Sequence, residues 1–375
     1  MKIGFDISML VYVGSGVATY TYNLVKNLLL IDKKNEYHLF YSSLRRPKNF
    51  YYLDKLKELG AKIHSCHFPP RLMKLWWGKW HIVPIELFTG KMDYFHTSDF
   101  LRPPLLKGTK GITTVHDLTW KLFPRWHTEE VVKAHKRKLA KTIKYGDIIV
   151  CPSQNTKKDL LKFYPQAKKN NKIFVIPEGV DERFKSIKDK KLINKVLKKY
   201  KIKQPYLVYV GAIEPRKNLK RLIRAFDLLL KTHHSLSLVI GGRAGWKNQD
   251  IFQLVKDLAL EKKVIFTGFI EDQDLPIIYS VAECCCYVSL YEGFGLPPLE
   301  AQACGCPVVA SNVASLPEVL GDSAILVNPK NESKIKEGIL AVLLKKSGDK
   351  ISDNYQKFTW QKTAESFLNV IHTRN

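Results

Sequence analysis

The chain spells one local theme twice. "MKIGFDISMLVYVGSGVATYTYNLVKNLLLID" reads as an apolar strand from Lys2 to Ser8 and a turn at Gly14 and Gly16. A helix follows, in which Tyr20, Leu24 and Leu28 recur with helical period. In the second half "PYLVYVGAIEPRKNLKRLIRAFDLLL" repeats strand, loop and helix. Short β-branched runs follow each opening: "YHLFY", "MDYFHTS", "GITTVHDL", "GDIIVCPS" and "KIFVIPEGV" in the first set, "LSLVIGG", "KVIFTGF", "ECCCYVSL", "CPVVAS" and "SAILVNP" in the second. Strands alternating with helices predict parallel sheets covered on both faces. Two such sets in 375 residues predict two doubly wound α/β domains. The Lys-rich stretch Phe184 to Lys203 has few strand features, so the expected domains are 1–185 and 186–355, with a last helix at about 356–375 packing back on the first.

Ligands of such sheets bind beyond the carboxyl ends of the strands, which directs attention to the residues that follow each one. In "GAIEPRKNLKRLI" a strand ends at Gly211 and a helix starts near Asn218, placing Arg216 and Lys217 at its N-terminus. Cations there oppose the helix dipole, so a purely structural helix gains nothing from them, whereas a diphosphate site needs them. In "YEGFGLPPLEAQACG" Glu292 closes a strand, Gly293 and Gly295 make a loop, and Glu300 lies in the early helix. A capped helix explains Glu300 but not Glu292 with two glycines. Two carboxylates flanking a glycine loop suit sugar hydroxyls, with the loop N–H groups free to face a sugar or phosphate. His116, just after a strand and beside Asp117, is a further candidate. Asp272 to Asp274, "DQD", matches a metal motif of a different fold, and the "LPIIYSVA" that follows makes Asp274 an expected helix N-cap.

The spacing from Glu292 to Glu300 with "GFG" inside it resembles the donor site of GT-B glycosyltransferases of family 4. "VGAIEPRKNLKRLIRAF", "FTGFIEDQDLPIIYSVA", "TVHDLTW" and "VIPEGVD" resemble the same family in its usual order. The resemblance covers nearly the whole chain. It implies two Rossmann-like domains, a nucleotide-sugar donor as substrate, retention of anomeric configuration, no metal and no cofactor. It implies that Glu300 holds the nucleotide ribose, that Glu292 holds sugar hydroxyls with the backbone of Gly293, Phe294 and Gly295, and that Arg216 and Lys217 neutralise the diphosphate. Gly14 and Gly16 are implied to approach the donor, His116 to face the sugar, and Phe269 to contact the base, with Gly211 and Leu296 completing the donor set. Ala212 departs from the pattern, since many relatives carry Arg there. "HDLTWKLFPRWH" is most similar to mannosyl- and related hexosyltransferases, so GDP-mannose is the first expectation and a UDP-sugar the alternative.

Charge adds a second partner. Residues 1–200 carry 39 Lys and Arg against 17 Asp and Glu, and residues 201–375 carry 22 against 18, so nearly all of the net +26 lies in the first half. "RLMKLWWGKWHIVP", Arg71 to Pro84, mixes three tryptophans with Arg71, Lys74 and Lys79, and "EEVVKAHKRKLAKTIKYGD" reads as a cation-rich helix. Trp with Lys suits an anionic lipid face, and a partly buried aromatic cluster with a solvated basic face fits the same residues. Given the glycosyltransferase resemblance, docking on a membrane with a glycan or lipid-linked acceptor is the expectation. A stacking platform for single-stranded nucleic acid would look similar in composition, so a non-enzymatic nucleic-acid-binding protein using the basic half is an alternative. No dedicated nucleic-acid motif accompanies the charge, however, and nucleic acid is not the expected partner. A sugar-nucleotide epimerase, or a phosphorylase with lysine-bound pyridoxal, would share the double domain. No run of about 18 apolar residues or signal-peptide core occurs, so a cytoplasmic location is expected. The seven cysteines lack zinc spacing and are expected as reduced, buried thiols. Oligomeric state is open.

Overall fold

Seven parallel strands, ordered β3-β2-β1-β4-β5-β6-β7, make the first sheet. They are β1 Lys2–Asp6, β2 Glu36–Ser42, β3 Lys62–Cys66, β4 Tyr94–Thr97, β5 Lys110–Thr114, β6 Ile148–Cys151 and β7 Ile173–Val175. Six more, ordered β10-β9-β8-β11-β12-β13, make the second: β8 Tyr206–Val210, β9 Ser237–Gly241, β10 Val264–Gly268, β11 Cys284–Tyr287, β12 Val308–Ser311 and β13 Ile325–Val327. The computed structural model describes residues 1–12, 14–42, 51–245, 248–344 and 353–372. Each sheet belongs to its own unit, Met1–Gly179 with Trp360–Asn375 and Val180–Thr359.

Central strands such as β6 and β11 are buried along their whole length, as expected of strands covered on both faces. Cys284, Cys285 and Cys286 fill β11, and all seven cysteines are free thiols. Burial pushes the thiols of Cys285 and Cys306 well up, which keeps them inert. Cys66 departs from the expectation: it ends an edge strand and is half-buried. The sequence reading also omitted β3 and carried β1 to Ser8, whereas β1 ends at Asp6 and Ser8 opens a 3-10 turn.

The helix Trp360–His372 lies in the first unit. Its buried residues Trp360, Ala364, Phe367 and Ile371 recur at helical spacing. Phe367 lies tilted against Phe5 of β1 at 5.7 Å and edge-on to His96 of β4 at 5.4 Å. The Lys-rich stretch falls in the second unit and forms the helix Lys190–Lys199, capped by Asp189.

Two sheet positions matter for ligands. Strand order reverses between β1 and β4 in the first sheet and between β8 and β11 in the second. Loops leaving the carboxyl ends of such strand pairs diverge to opposite faces and leave a crevice.

Candidate donor site

In the second unit the crevice is flanked by the loop after β8 and the loop after β11. The first runs through Gly211 and a 3-10 turn, Pro215–Lys217, into the helix Leu219–Leu230. Gly211 has φ +154°, and a Cβ on neighbouring Gly242 would fall 1.9 Å from the Gly211 carbonyl oxygen, so the two strand ends approach as only glycine allows. Asn218, at φ +59°, turns the chain into the helix and donates through Nδ2 to the carbonyls of Val288 and Pro329. The second loop is tied to the first where the Leu290 N–H donates to the Arg216 carbonyl.

Glu292 joins the two loops by charge. Its Oε2 accepts from Arg216 at 2.6 Å and its Oε1 from Lys217 Nζ at 2.6 Å. Arg216 also pairs with Glu214 at 2.8 Å, and Lys217 Nζ donates to the Tyr287 hydroxyl oxygen at 2.8 Å. The side chains of Glu214, Lys217 and Glu292 are 4%, 8% and 7% exposed, so this is a four-charge cluster of zero net charge held out of water. Burial pushes the Glu292 carboxyl up, but Arg216 and then Lys217 outweigh it and hold it at about 2. Burial and Arg216 press the Lys217 ammonium down against the pull of Glu292.

The glycine loop is fixed from below. Ser315, fully buried, donates to the carbonyls of Glu292 at 3.0 Å and Phe294 at 2.7 Å. Gly295 sits at φ +113° with Leu316 packed where a Cβ would be, and the helix Leu296–Ala303 starts at once with its prolines in the first turn. The Phe294 ring turns into the core against Phe358, leaving only its backbone for a ligand, and Leu296 is buried as well. Glu300 is half-buried on the fifth residue of that helix, and Gly293 is buried beside Glu292.

Two residues absent from the sequence reading stand at this site. Ser315 is one. Arg243, at the end of β9, lays its guanidinium over the exposed Phe269 ring at 4.5 Å, and its carbonyl accepts from Ile213 next to Ala212. "GGRAG" after a strand was the signal available for Arg243. Asp272 and Asp274 are held by cations, Asp272 by Arg183 and Asp274 by Lys199. Asp274 occupies the expected N-cap position, but its carboxylate makes no cap and instead accepts from Lys199 Nζ and the Tyr200 hydroxyl.

In the first unit Gly14 has φ +82° and Ser15 caps the helix Gly16–Ile31 by accepting from the Ala18 N–H. A Cβ on Gly16 would meet no described atom within 4 Å, so crowding does not require glycine there. His116 lies two residues past β5, with Nδ1 3.4 Å from Glu178 Oε1 and the Tyr20 ring edge-on at 4.7 Å. Its Nε2 is buried and finds no partner among the described residues. Glu178, in "PEGVD", is a residue that the sequence did not single out. Asp117 does not assist His116: its Oδ1 accepts from the Thr119 N–H and hydroxyl and shapes the turn.

Two doubly wound sheets, one with paired cations and a carboxylate loop across its switch point, define a GT-B class of protein. Residues 189–358 match the family described as glycosyl transferases group 1, and residues 14–184 match glycosyltransferase family 4. The chain belongs to the family 4 type of GT-B glycosyltransferases. It is 28% identical over 391 residues to the O-antigen chain mannosyltransferase B of Escherichia coli, with 99% of each chain covered. To the serotype-specific mannosyltransferase WbdA of Escherichia coli it is 32% identical over 195 residues, 51% of this chain and 24% of that one. The Anabaena protein HepE, solved with UDP and glucose, shares the fold at a TM-score of 0.71 and 16% identity, with 100% of both chains covered.

Proposed function

We propose that this glycosyltransferase moves mannose from GDP-mannose, with retention of configuration, to a lipid-linked glycan acceptor in surface polysaccharide synthesis at the cytoplasmic face of a membrane. The observation that carries the chemistry is the Arg216–Lys217–Glu292 cluster beyond β8 and β11. The observation that favours mannose is the full-length likeness to an O-antigen mannosyltransferase.

Breaking the bond between the anomeric carbon and the diphosphate leaves negative charge on phosphate oxygen and positive charge on the sugar. Fixed cations in a site poor in water stabilise the first, and a fixed carboxylate near the sugar suits its hydroxyls. Glu292 pairs with both cations, so donor binding exchanges carboxylate for diphosphate at Arg216 and Lys217. The released Glu292 then takes sugar hydroxyls, Glu300 the ribose, and Arg243 with Phe269 the base. Attack of the acceptor hydroxyl on the face the diphosphate leaves retains configuration, and the departing phosphate oxygen takes the acceptor proton. Two protein cations meet the diphosphate charge without a metal, so turnover is expected to survive chelation. His116 is oriented through Glu178 within the first unit.

The test is thermal unfolding with GDP, UDP, ADP and their common sugars in chelator. Ligand at 100 times its dissociation constant stabilises the native state by about 2.7 kcal/mol. Stabilisation by GDP and GDP-mannose alone supports the reading. Stabilisation by UDP and UDP-glucose, the ligand class held by HepE, moves the donor to a UDP-sugar. No shift with any nucleotide overturns the donor site.

A further inference from the structure

Six of the twelve large apolar side chains most exposed among the described residues gather in one region of the first unit: Leu75, Trp80, Ile82, Leu87, Leu106 and Tyr145, between 39% and 70% exposed. They come from three segments knit into one surface. The Ile82 N–H donates to Trp76, Ile85 to the Pro104 carbonyl, and Leu106 to the Glu86 carboxylate, while His81 stacks on Tyr145 at 5.0 Å. Beneath them Trp77 is 1% exposed and packs with Phe40, Met73, Ile85 and Phe95. The three tryptophans of "KLWWGKW" thus divide: Trp77 is core, Trp76 lies against Phe68 at 5.1 Å, and Trp80 points outward.

The turn that displays Trp80 and Ile82 is built rather than loose. A π-helix, Lys74–Trp80, ends at His81 with φ +57°, and Val83 follows at φ +66°, a conformation a β-branched residue avoids. Lys141 caps it by donating to the carbonyls of Trp77 and Gly78, and Trp77 Nε1 donates to the Val83 carbonyl. A strained turn held by outside contacts is a common mark of a functional surface.

Residues 71–92, 101–111 and 133–146, which carry this surface, hold four, three and six Lys or Arg against the single acid Glu86. Glu86 is itself buried, so no carboxylate on these segments faces outward. We propose that this surface docks on an anionic lipid bilayer, Trp80, Ile82, Leu87 and Leu106 entering the headgroup boundary while Lys79, Lys107 and Lys144 meet lipid phosphate. Lysine is depleted at protein interfaces, which argues against a protein partner. The outward side chains are mostly aliphatic and offer few rings for bases to stack on, which argues against nucleic acid. Each cation near an anionic bilayer adds roughly fivefold in affinity. The inference rests on the lipid-linked acceptor reading only for why docking serves transfer, since vesicle binding and nucleotide stabilisation are measured separately.

The test is flotation of the full chain with vesicles of phosphatidylglycerol and phosphatidylethanolamine, against vesicles of phosphatidylcholine alone. The chain is expected to float with the anionic vesicles at low salt and to be largely released at high salt. Trp80→Ser with Ile82→Ser and Leu87→Ser should weaken binding about tenfold or more, while Leu192→Ser with Leu344→Ser, two exposed leucines of the second unit, should leave it unchanged. Should the triple variant unfold, Lys79→Glu with Lys107→Glu and Lys144→Glu keeps the apolar set and must abolish the preference for anionic lipid. Equal binding by the variants, or no wild-type preference for anionic vesicles, overturns the proposal. So does a dimer in sedimentation that the triple variant breaks.

Discussion

The two units treat charge in opposite ways. In the second, Arg216 and Lys217 turn inward onto Glu214 and Glu292, and four charges cancel within a few ångströms. In the first, the cations of residues 71–92, 101–111 and 133–146 mostly face outward; Lys74 and Lys133 pair with Glu130 and Glu129 at the surface, and Arg102 is buried on Asp147. A charge that has been buried and neutralised has a costly geometry that only a specific ligand can repay by replacing one partner. A charge left on the surface without a counterion is solvated, cheap and unspecific, and suits a partner that is itself a surface. The same count of lysines therefore says little until it is known where the carboxylates are.

The largest expected effect comes from breaking the inward cluster. Lys217→Ala or Arg216→Ala should lower kcat/KM by about a hundredfold to a thousandfold, the cost of removing one electrostatic stabiliser of a transition state. Glu292→Gln should lower kcat by a similar factor while binding the nucleoside diphosphate product at least as tightly as wild type, because the competing carboxylate is gone. Equal weakening of kcat and product binding would show that Glu292 is only a scaffold for the cations.

Next is a pH effect on the same pair. Glu292 is held at about 2 against an ordinary value of 4.5, so its contribution to stability is complete above about pH 4.5 and is lost as pH falls toward 2. The contribution is about 3 kcal/mol. Glu292→Gln should be less stable than wild type at pH 7, having left buried Lys217 and half-buried Arg216 short of a partner, and should lose less stability between pH 4.5 and 2. Melting curves across that window check it.

Smaller effects test the first unit and the rim of the donor site. Glu178→Gln should lower kcat about tenfold with the donor KM little changed, because the carboxylate 3.4 Å from His116 Nδ1 is gone. Arg243→Ala should raise the donor KM about threefold to tenfold with kcat little changed, as for loss of one exposed cation stacked on an aromatic ring.

How much of this was legible in the sequence depends on what carried the signal. Twelve of the thirteen strands were read from β-branched runs bounded by turn residues. The exception, β3, is an edge strand whose "KIHSC" is polar and only half-buried, so it lacks the apolar run that announced the others. At the donor site the loops and their residues were legible because glycine, proline and charge are local features. That Glu292 grips both cations was not, because residues 216, 217 and 292 meet only through strand order. Ser315 was invisible for the same reason: a lone serine in "NVASLPEV" carries no sign that it fastens the glycine loop. The aromatic cluster shows the converse. Composition pointed to an interface and could not say which of Trp76, Trp77 and Trp80 the core would take.

The helix Trp360–His372 gives the chain an order of assembly. The core of the first unit includes Phe367 and Ile371, which are synthesised only after every residue of the second unit. On the ribosome the second unit can therefore close while the first still shows water the apolar face that this helix will cover. Burying Trp360, Phe367 and Ile371 stabilises the first unit by about 1.5 to 3 kcal/mol for each side chain. The unit made first is thus the one finished last, and a break anywhere between the two chain crossings leaves the first unit without its final wall.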